Sequence, residues 1–203
     1  SQWDRKRKPG SPALHLSWYG RPGPAAAPLE RWAAALEQHL PQCCPLRRPA
    51  VESIMRGGPL YLRYGPPWGE VELRRPAAGG GRPGLYTLSC TVPVSAFERD
   101  DRPCLDELRE FVALAAEDLG AEVATCELLY GYDCESGIAR PTRKASAKRV
   151  VVVDEAGRLL GLPAIPAWLV WLGPAYSGPL AEWIEAKAKN GASCLIRYPG
   201  FHG

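Results

Sequence analysis

The segment at residues 150–176, VVVVDEAGRLLGLPAIPAWLVWLGPAY, is the most strand-like stretch of this chain. Four consecutive valines, a turn at 154–157 and a second apolar run at 159–162 predict a β-hairpin whose first strand is buried on both faces. The prolines at 163 and 166 end this hairpin, because proline lacks the backbone N–H that a sheet ladder needs. The apolar residues 168–172 then predict a further strand.

Outward from this segment, the N-terminal part of the chain shows both kinds of periodicity. In residues 14–19, apolar and more polar side chains alternate, which predicts a half-buried strand ending at Gly20. Apolar residues at helical spacing between Pro28 and Pro41 predict a helix. Three strand candidates follow at 60–64, 71–74 and 85–92. Their connections are too short for parallel crossovers and favour an antiparallel meander.

The second half of the chain predicts two more helices. Residues 105–119 carry an apolar stripe at helical spacing, with Asp101 as the expected cap and Gly120 as the stop. A strand at 123–130 and a long polar loop at 133–148 precede the hairpin described above. A last helix at 179–189 and a last strand at 194–198 complete the order.

This irregular order of helices and strands predicts the α+β class. We expect one mostly antiparallel sheet with two to three helices packed on it, in a single domain at residues 13–203. Residues 1–12, which include the basic run RKRK, are expected to form a flexible basic tail.

Composition narrows the class of protein. The chain has 203 residues, of which 46% are hydrophobic and 23% charged, values typical of a globular domain. Its seven cysteines include no CxxC pair and only three histidines accompany them, which predicts a reduced, cytoplasmic protein without a metal site. Cys90, Cys126 and Cys194 are expected to be small buried residues of strands. No apolar run reaches the roughly 18 residues that a membrane helix needs.

No familiar catalytic motif occurs in the sequence. The triplet Gly79–Gly81 lacks the Lys-Ser/Thr pair of a phosphate-binding loop, and there is no nucleophile elbow. Cys134 lies between Asp133 and Glu135, whose carboxylates should raise the thiol pKa, whereas a reactive thiolate needs cationic neighbours. We therefore expect a protein that is not an enzyme and has no cofactor.

Charge is distributed unevenly along the chain. Residues 98–135 contain 12 acids and 3 bases, although the whole chain has a net charge of +3. On the predicted second helix the acids fall away from the apolar stripe. They form either a solvated helix face or a docking surface for a basic partner. The residues of this predicted partner-binding surface are Asp101, Asp106, Glu107, Glu110, Glu117, Asp118 and Glu122.

Two further surfaces give alternative hypotheses. Tyr61, Tyr64 and Trp68 cluster in sequence with Arg63, and they are secondary candidates for partner binding or for the site of a small enzyme of unfamiliar type. The same aromatic residues would equally suit a core. The basic residues of 140–149 could bind nucleic acid through its phosphates, with an affinity that falls steeply with salt.

Two short segments resemble a known family. LHLSWYG at 14–20, ahead of a Trp-containing helix, and IPAWLVWLGP at 165–174 are similar to bacterial immunity proteins of polymorphic toxin systems, of the immunity protein 52 type. This chain has Ala167 where that pattern has glycine. The resemblance implies a cytoplasmic protein that binds and neutralises a cognate toxin domain.

Overall fold

The structure is a computed structural model, and it describes residues 10–24, 26–44, 50–53, 58–76, 84–98, 104–143, 145, 167–174 and 176. Two α-helices in this part of the chain pack against one curled antiparallel sheet, which confirms the predicted α+β class. The helices are α1 (Ala27–His39) and α2 (Leu105–Leu119). The strands are β1 (Ser11–Gly20), β2 (Val51–Ser53), β3 (Leu60–Arg63), β4 (Glu70–Arg74), β5 (Tyr86–Pro93), β6 (Ala121–Asp133), β7 (Arg140–Pro141) and β8 (Leu169–Leu172).

The sheet is built around β1. Its strand order is β2-β3-β4-β5-β1-β6-β7, and β8 pairs with β6 beside this path. Every pairing is antiparallel, and β1 pairs along most of its length with both β5 and β6. The meander predicted from the short connections is present as β3, β4 and β5.

One face of β1 packs against both helices. Leu14, Leu16 and Trp18 belong to the main core, and Trp18 donates a hydrogen bond from Nε1 to the Val112 carbonyl of α2 at 3.1 Å. The Trp32 ring of α1 meets the Trp18 ring in a T-shaped contact with centroids 6.2 Å apart. Such edge-to-face pairs add to the hydrophobic gain from burying aromatic surface.

The ends of α2 differ in part from the prediction. The N-cap is Cys104, and the Glu107 carboxylate accepts a hydrogen bond from the Cys104 backbone N–H at 3.1 Å. The prediction that Asp101 caps this helix is wrong, because Cys104 occupies the N-cap position; Asp101 itself lies outside the described residues. Gly120 ends the helix as predicted, in the left-handed conformation at φ 60°, where a side chain would be strained.

The other face of β1 is buried as well. The expectation of a half-buried strand is wrong, since His15, Ser17 and Tyr19 are 6%, 1% and 5% exposed. The two polar side chains are tolerated there because they are hydrogen-bonded, Ser17 to His15 and His15 to Thr91 on β5.

The segment at 150–176 is described only from residue 167 onward. Its last apolar run forms β8 as predicted, with Trp171 opposite Ala124 on β6. The hairpin at 150–162, the helix at 179–189 and the strand at 194–198 lie outside the described residues. In the predicted polar loop at 133–148, the structure shows the two-residue strand β7.

Candidate partner-binding surface

The outer side of α2 carries the acidic residues that the sequence singled out. The side chains of all five acids within the helix are exposed: Asp106, Glu107, Glu110, Glu117 and Asp118. Asp106, Glu110 and Glu117 are separated by four and then seven residues, so they follow one line along the helix. That line is about 16 Å long at the usual rise per residue.

Several of these carboxylates are engaged by groups of the same chain. Glu107 closes the N-cap of α2, and Asp106 Oδ1 lies 3.1 Å from Arg109 Nη2, one turn along the helix. Asp118 Oδ2 lies 2.8 Å from His39 Nε2 near the C-terminal end of α1. Local pairing of this kind reduces the field that a partner would meet, although exposed pairs are individually weak.

Two of the remaining acids, Glu117 and Glu122, lie near the C-terminal end of α2. Glu122, on β6, is held by Arg21, whose Nε lies 2.8 Å from Oε1. The Glu117 carboxylate has no hydrogen bond or ion pair with any residue that the structure describes. Asp101 lies outside the described residues. Glu117 is therefore the acid of this group that is most available to an external cation.

A cleft opens beside Glu117, which we call the α2–β8 cleft. Its volume is about 520 Å³, and its lining residues come from the end of α2, the start of β6 and the segment around β8: Ala116, Glu117, Gly120, Ala121, Glu122, Trp171 and Pro174. The walls are mostly apolar, and Glu117 and Glu122 supply the charge. The sequence predicted the acids but not the cleft, because residues 116–122 and 171–174 are distant in the chain.

The aromatic candidates are placed mainly in the core. Trp68 is 1% exposed and donates a hydrogen bond from Nε1 to the Cys43 carbonyl at 3.0 Å, and Tyr64 is also buried. Tyr61 is half-buried, and its hydroxyl donates to Glu72 Oε1 at 3.3 Å. Burial and the nearby Glu72 carboxylate raise the pKa of Tyr61. Of the three, Tyr61 offers the most surface to a partner.

The basic segment at 140–149 is described only in part. Arg140 on β7 and Arg143 are exposed, and residues 144 and 146–149 lie outside the described part. The nucleic-acid hypothesis stays a prediction.

A polar cluster on the second face of the sheet was missed by the sequence reasoning. With His15 protonated at Nδ1, it donates to Thr91 Oγ1 at 2.9 Å and accepts from the Ser17 hydroxyl at Nε2, at 3.2 Å. A cavity of about 440 Å³ reaches His15 and Thr91, with Ile138 and Trp68 among its walls. His15 and Ser17 share one face at a spacing of two residues, which was the available signal.

This cluster bears on the hypothesis of an unfamiliar enzyme. A serine hydroxyl hydrogen-bonded to an imidazole is the pairing used by activated nucleophiles. Ser17, however, is 1% exposed and is not among the residues that line the cavity. The arrangement is better explained as a hydrogen-bond network that satisfies buried polar groups.

The cysteines in the described residues match the expected environments. Cys90 and Cys126 are buried, and burial raises the pKa of both thiols. Burial and then the Asp133 carboxylate raise the pKa of Cys134. Cys194 lies outside the described residues. A raised pKa keeps a thiol protonated and poorly nucleophilic at neutral pH.

In the part of the chain that the structure describes, no three His, Cys, Asp or Glu side chains are grouped as metal ligands would be. None of the helices there has the length and apolar character required to span a membrane. No protein-family model, curated protein or solved structure matches this chain.

Proposed function

We propose that this chain is an immunity protein that binds and neutralises a cognate toxin domain through the outer side of α2. The observation that carries the proposal is the line of exposed carboxylates at Asp106, Glu110 and Glu117 on a helix whose opposite side is core. A line of one charge attracts a partner of opposite charge and speeds its association. The partner would present a basic contact surface.

The resemblance to immunity proteins supports the same function. The resemblance comes from residues 14–20 and 165–174. The described residues of these two segments form β1 and β8, and both strands pair with β6. The acidic helix leads directly into β6 through Gly120.

The burial pattern of α2 supports separate roles for its two sides. Leu108, Phe111, Val112, Ala115 and Leu119 are buried and fix the helix on the sheet. Glu110 and Glu117 are exposed on the opposite side, so changing them creates no cavity in the core. Recognition and stability can therefore be tested independently.

The test uses the toxin encoded next to this chain, co-expressed with it in a bacterial host. The protein should protect the host and form a complex with the toxin domain on gel filtration. Changing Glu110 and Glu117 together to Lys should weaken the complex by at least about tenfold, because two attractive charges become repulsive. Glu107 is left unchanged in this variant because its carboxylate caps α2.

Glu135→Lys is the matched control. Glu135 is exposed and follows the far end of β6, at the opposite end of that strand from Gly120. The Glu135→Lys substitution changes the net charge by the same amount as each Glu→Lys substitution on α2, and it should leave binding nearly unchanged. Loss of protection with both variants would indicate a nonspecific charge effect, and absence of any complex with the wild-type protein would refute the proposed function.

A further inference from the structure

We propose that the α2–β8 cleft is the socket for one lysine or arginine side chain of the partner. This inference rests on the proposed function and adds the chemistry by which the partner is anchored. The cleft joins apolar walls to two carboxylates, and none of the described residues that line it is basic. That combination suits a side chain with an aliphatic stem and a positive end.

The walls of the cleft are held in place by the backbone. The Gly120 N–H bonds to the Glu117 carbonyl at 3.0 Å, which closes the last turn of α2. The Gly173 N–H donates to the Glu122 carbonyl at 2.9 Å and fixes the end of β8 against β6. Trp171 is 7% exposed and belongs to the main core. The socket therefore exists before a partner binds, and little ordering cost is incurred on binding.

The electrostatics of the cleft favour a cation. The helix dipole places a partial negative charge at the C-terminal end of α2. Glu117 adds a full negative charge without a partner among the described residues, as shown above. Glu122 already binds the Arg21 guanidinium at 2.8 Å, so a basic group is accommodated at this edge. An anionic ligand would be repelled by the helix end and by Glu117.

The apolar walls determine how the cation enters. The methylene stem of lysine or arginine packs well on apolar surface while its charged end reaches polar groups. Among the apolar lining residues, Pro174 is exposed and provides such surface, and the largely buried Trp171 indole lies in the wall of the cleft. The volume of about 520 Å³ lies within the range of about 300–1,000 Å³ typical of ligand sites.

The decisive experiment compares two single substitutions in the complex with the adjacent toxin domain, measured by calorimetry. Glu117→Gln removes the charge in the cleft without changing the size of the side chain. Glu110→Gln does the same two helical turns away, outside the cleft. We expect Glu117→Gln to raise Kd by at least about tenfold, because a cation anchored in the cleft loses its unshared partner. Glu110→Gln should change Kd by less than about threefold, as exposed charges of a rim do.

A second step identifies the inserted side chain. Each basic residue on the contact face of the toxin is changed to Gln, and its effect is measured with wild-type protein and with Glu117→Gln. One toxin residue should lose most of its effect in the Glu117→Gln background, the sign of a direct contact in a double-mutant cycle. Lysine and arginine are then distinguished by exchanging them at that position.

The outcomes separate this inference from the proposed function. A complex that forms normally but responds equally to Glu117→Gln and Glu110→Gln refutes the socket and leaves the immunity function standing. A complex that does not form with wild-type protein refutes both. Unchanged thermal midpoints of the two variants show that any loss of affinity does not come from unfolding.

Discussion

The two buried tryptophans at the centre of the core provide a sharp test of the structure. Trp18 and Trp32 are both 0% exposed, and their rings touch. Trp18 donates a hydrogen bond to the Val112 carbonyl, whereas the buried Trp32 Nε1 has no hydrogen-bond acceptor among the described residues. The same change to Phe at each position should therefore have different consequences for stability.

The difference in the free energy of unfolding between the two variants is estimated from their hydrogen bonds. Each substitution shrinks an indole to a phenyl ring, so the cavity cost is similar and largely cancels in the comparison. Trp18→Phe loses a hydrogen bond with a net value of about 0.5–1.5 kcal/mol. Trp32→Phe removes an unsatisfied buried donor that costs about 1–3 kcal/mol. Trp18→Phe should be the more destabilising change by about 1.5–4.5 kcal/mol.

The assay is urea denaturation followed by far-UV circular dichroism, since each variant alters the tryptophan fluorescence. The m values of the two variants are compared together with their free energies of unfolding, because equal m values indicate that the denatured states are alike. Equal destabilisation by the two changes, or a greater loss for Trp32→Phe, would contradict the described hydrogen bonding of this core.

Three further outcomes are expected. In thermal melts, Gly173→Ala should lower the free energy of unfolding by about 1–3 kcal/mol, because an added Cβ would lie 2.7 Å from a backbone carbonyl oxygen of β6. Gly23→Ala, which has open space around it, is the control and should have little effect. Native protein should react with Ellman's reagent at exposed Cys104 and leave Cys90 unmodified until urea unfolds it, as mass spectrometry of the labelled peptides can show. Burial raises the pKa of Tyr86 to about 12 from its ordinary value of 10.0. The contribution of this group to the free energy of unfolding is therefore fully present below pH 10 and is lost as the pH rises towards 12. Urea titrations across this range should show a shallower fall for Tyr86→Phe than for the wild-type protein.

Local patterns in the sequence were sufficient for much of the fold. The alternation in residues 14–19 and the helical spacing in 105–119 each arise within one element, and both elements are present as β1 and α2. The meander followed from connection lengths, which are also local. These signals are strong because they reflect the repeat of a single strand or helix, whatever its neighbours.

Burial on the second face of β1 could not be read from the same pattern. Polar residues at a period of two usually face solvent, so His15 and Ser17 predicted an open face. The partner that satisfies His15 is Thr91, which lies 76 residues away and one strand across the sheet. Only the pairing of β1 with β5 places the two side chains together. A buried polar group depends on such a partner, because burial without one is costly.

The charge count had a related weakness. The 12 acids of residues 98–135 include Glu127, which lies at the centre of β6 and is 5% exposed. The count also could not show that Arg21, which lies 101 residues from Glu122, would pair with it. Summing charges along the sequence therefore overstated the negative field of the 98–135 segment.

Binding specificity depends on the acids that local pairing leaves available and on the surface beside them. Glu117 is such an acid, and the apolar surface beside it comes from Trp171, which β8 brings to the end of α2 by pairing with β6. Neither residue alone predicts an anchor, since an exposed carboxylate is usually solvated and a tryptophan is usually core. Their juxtaposition makes a cation with an apolar stem the favoured occupant, and this is why Glu117→Gln should weaken binding more than a change to any neighbouring acid on the same helix.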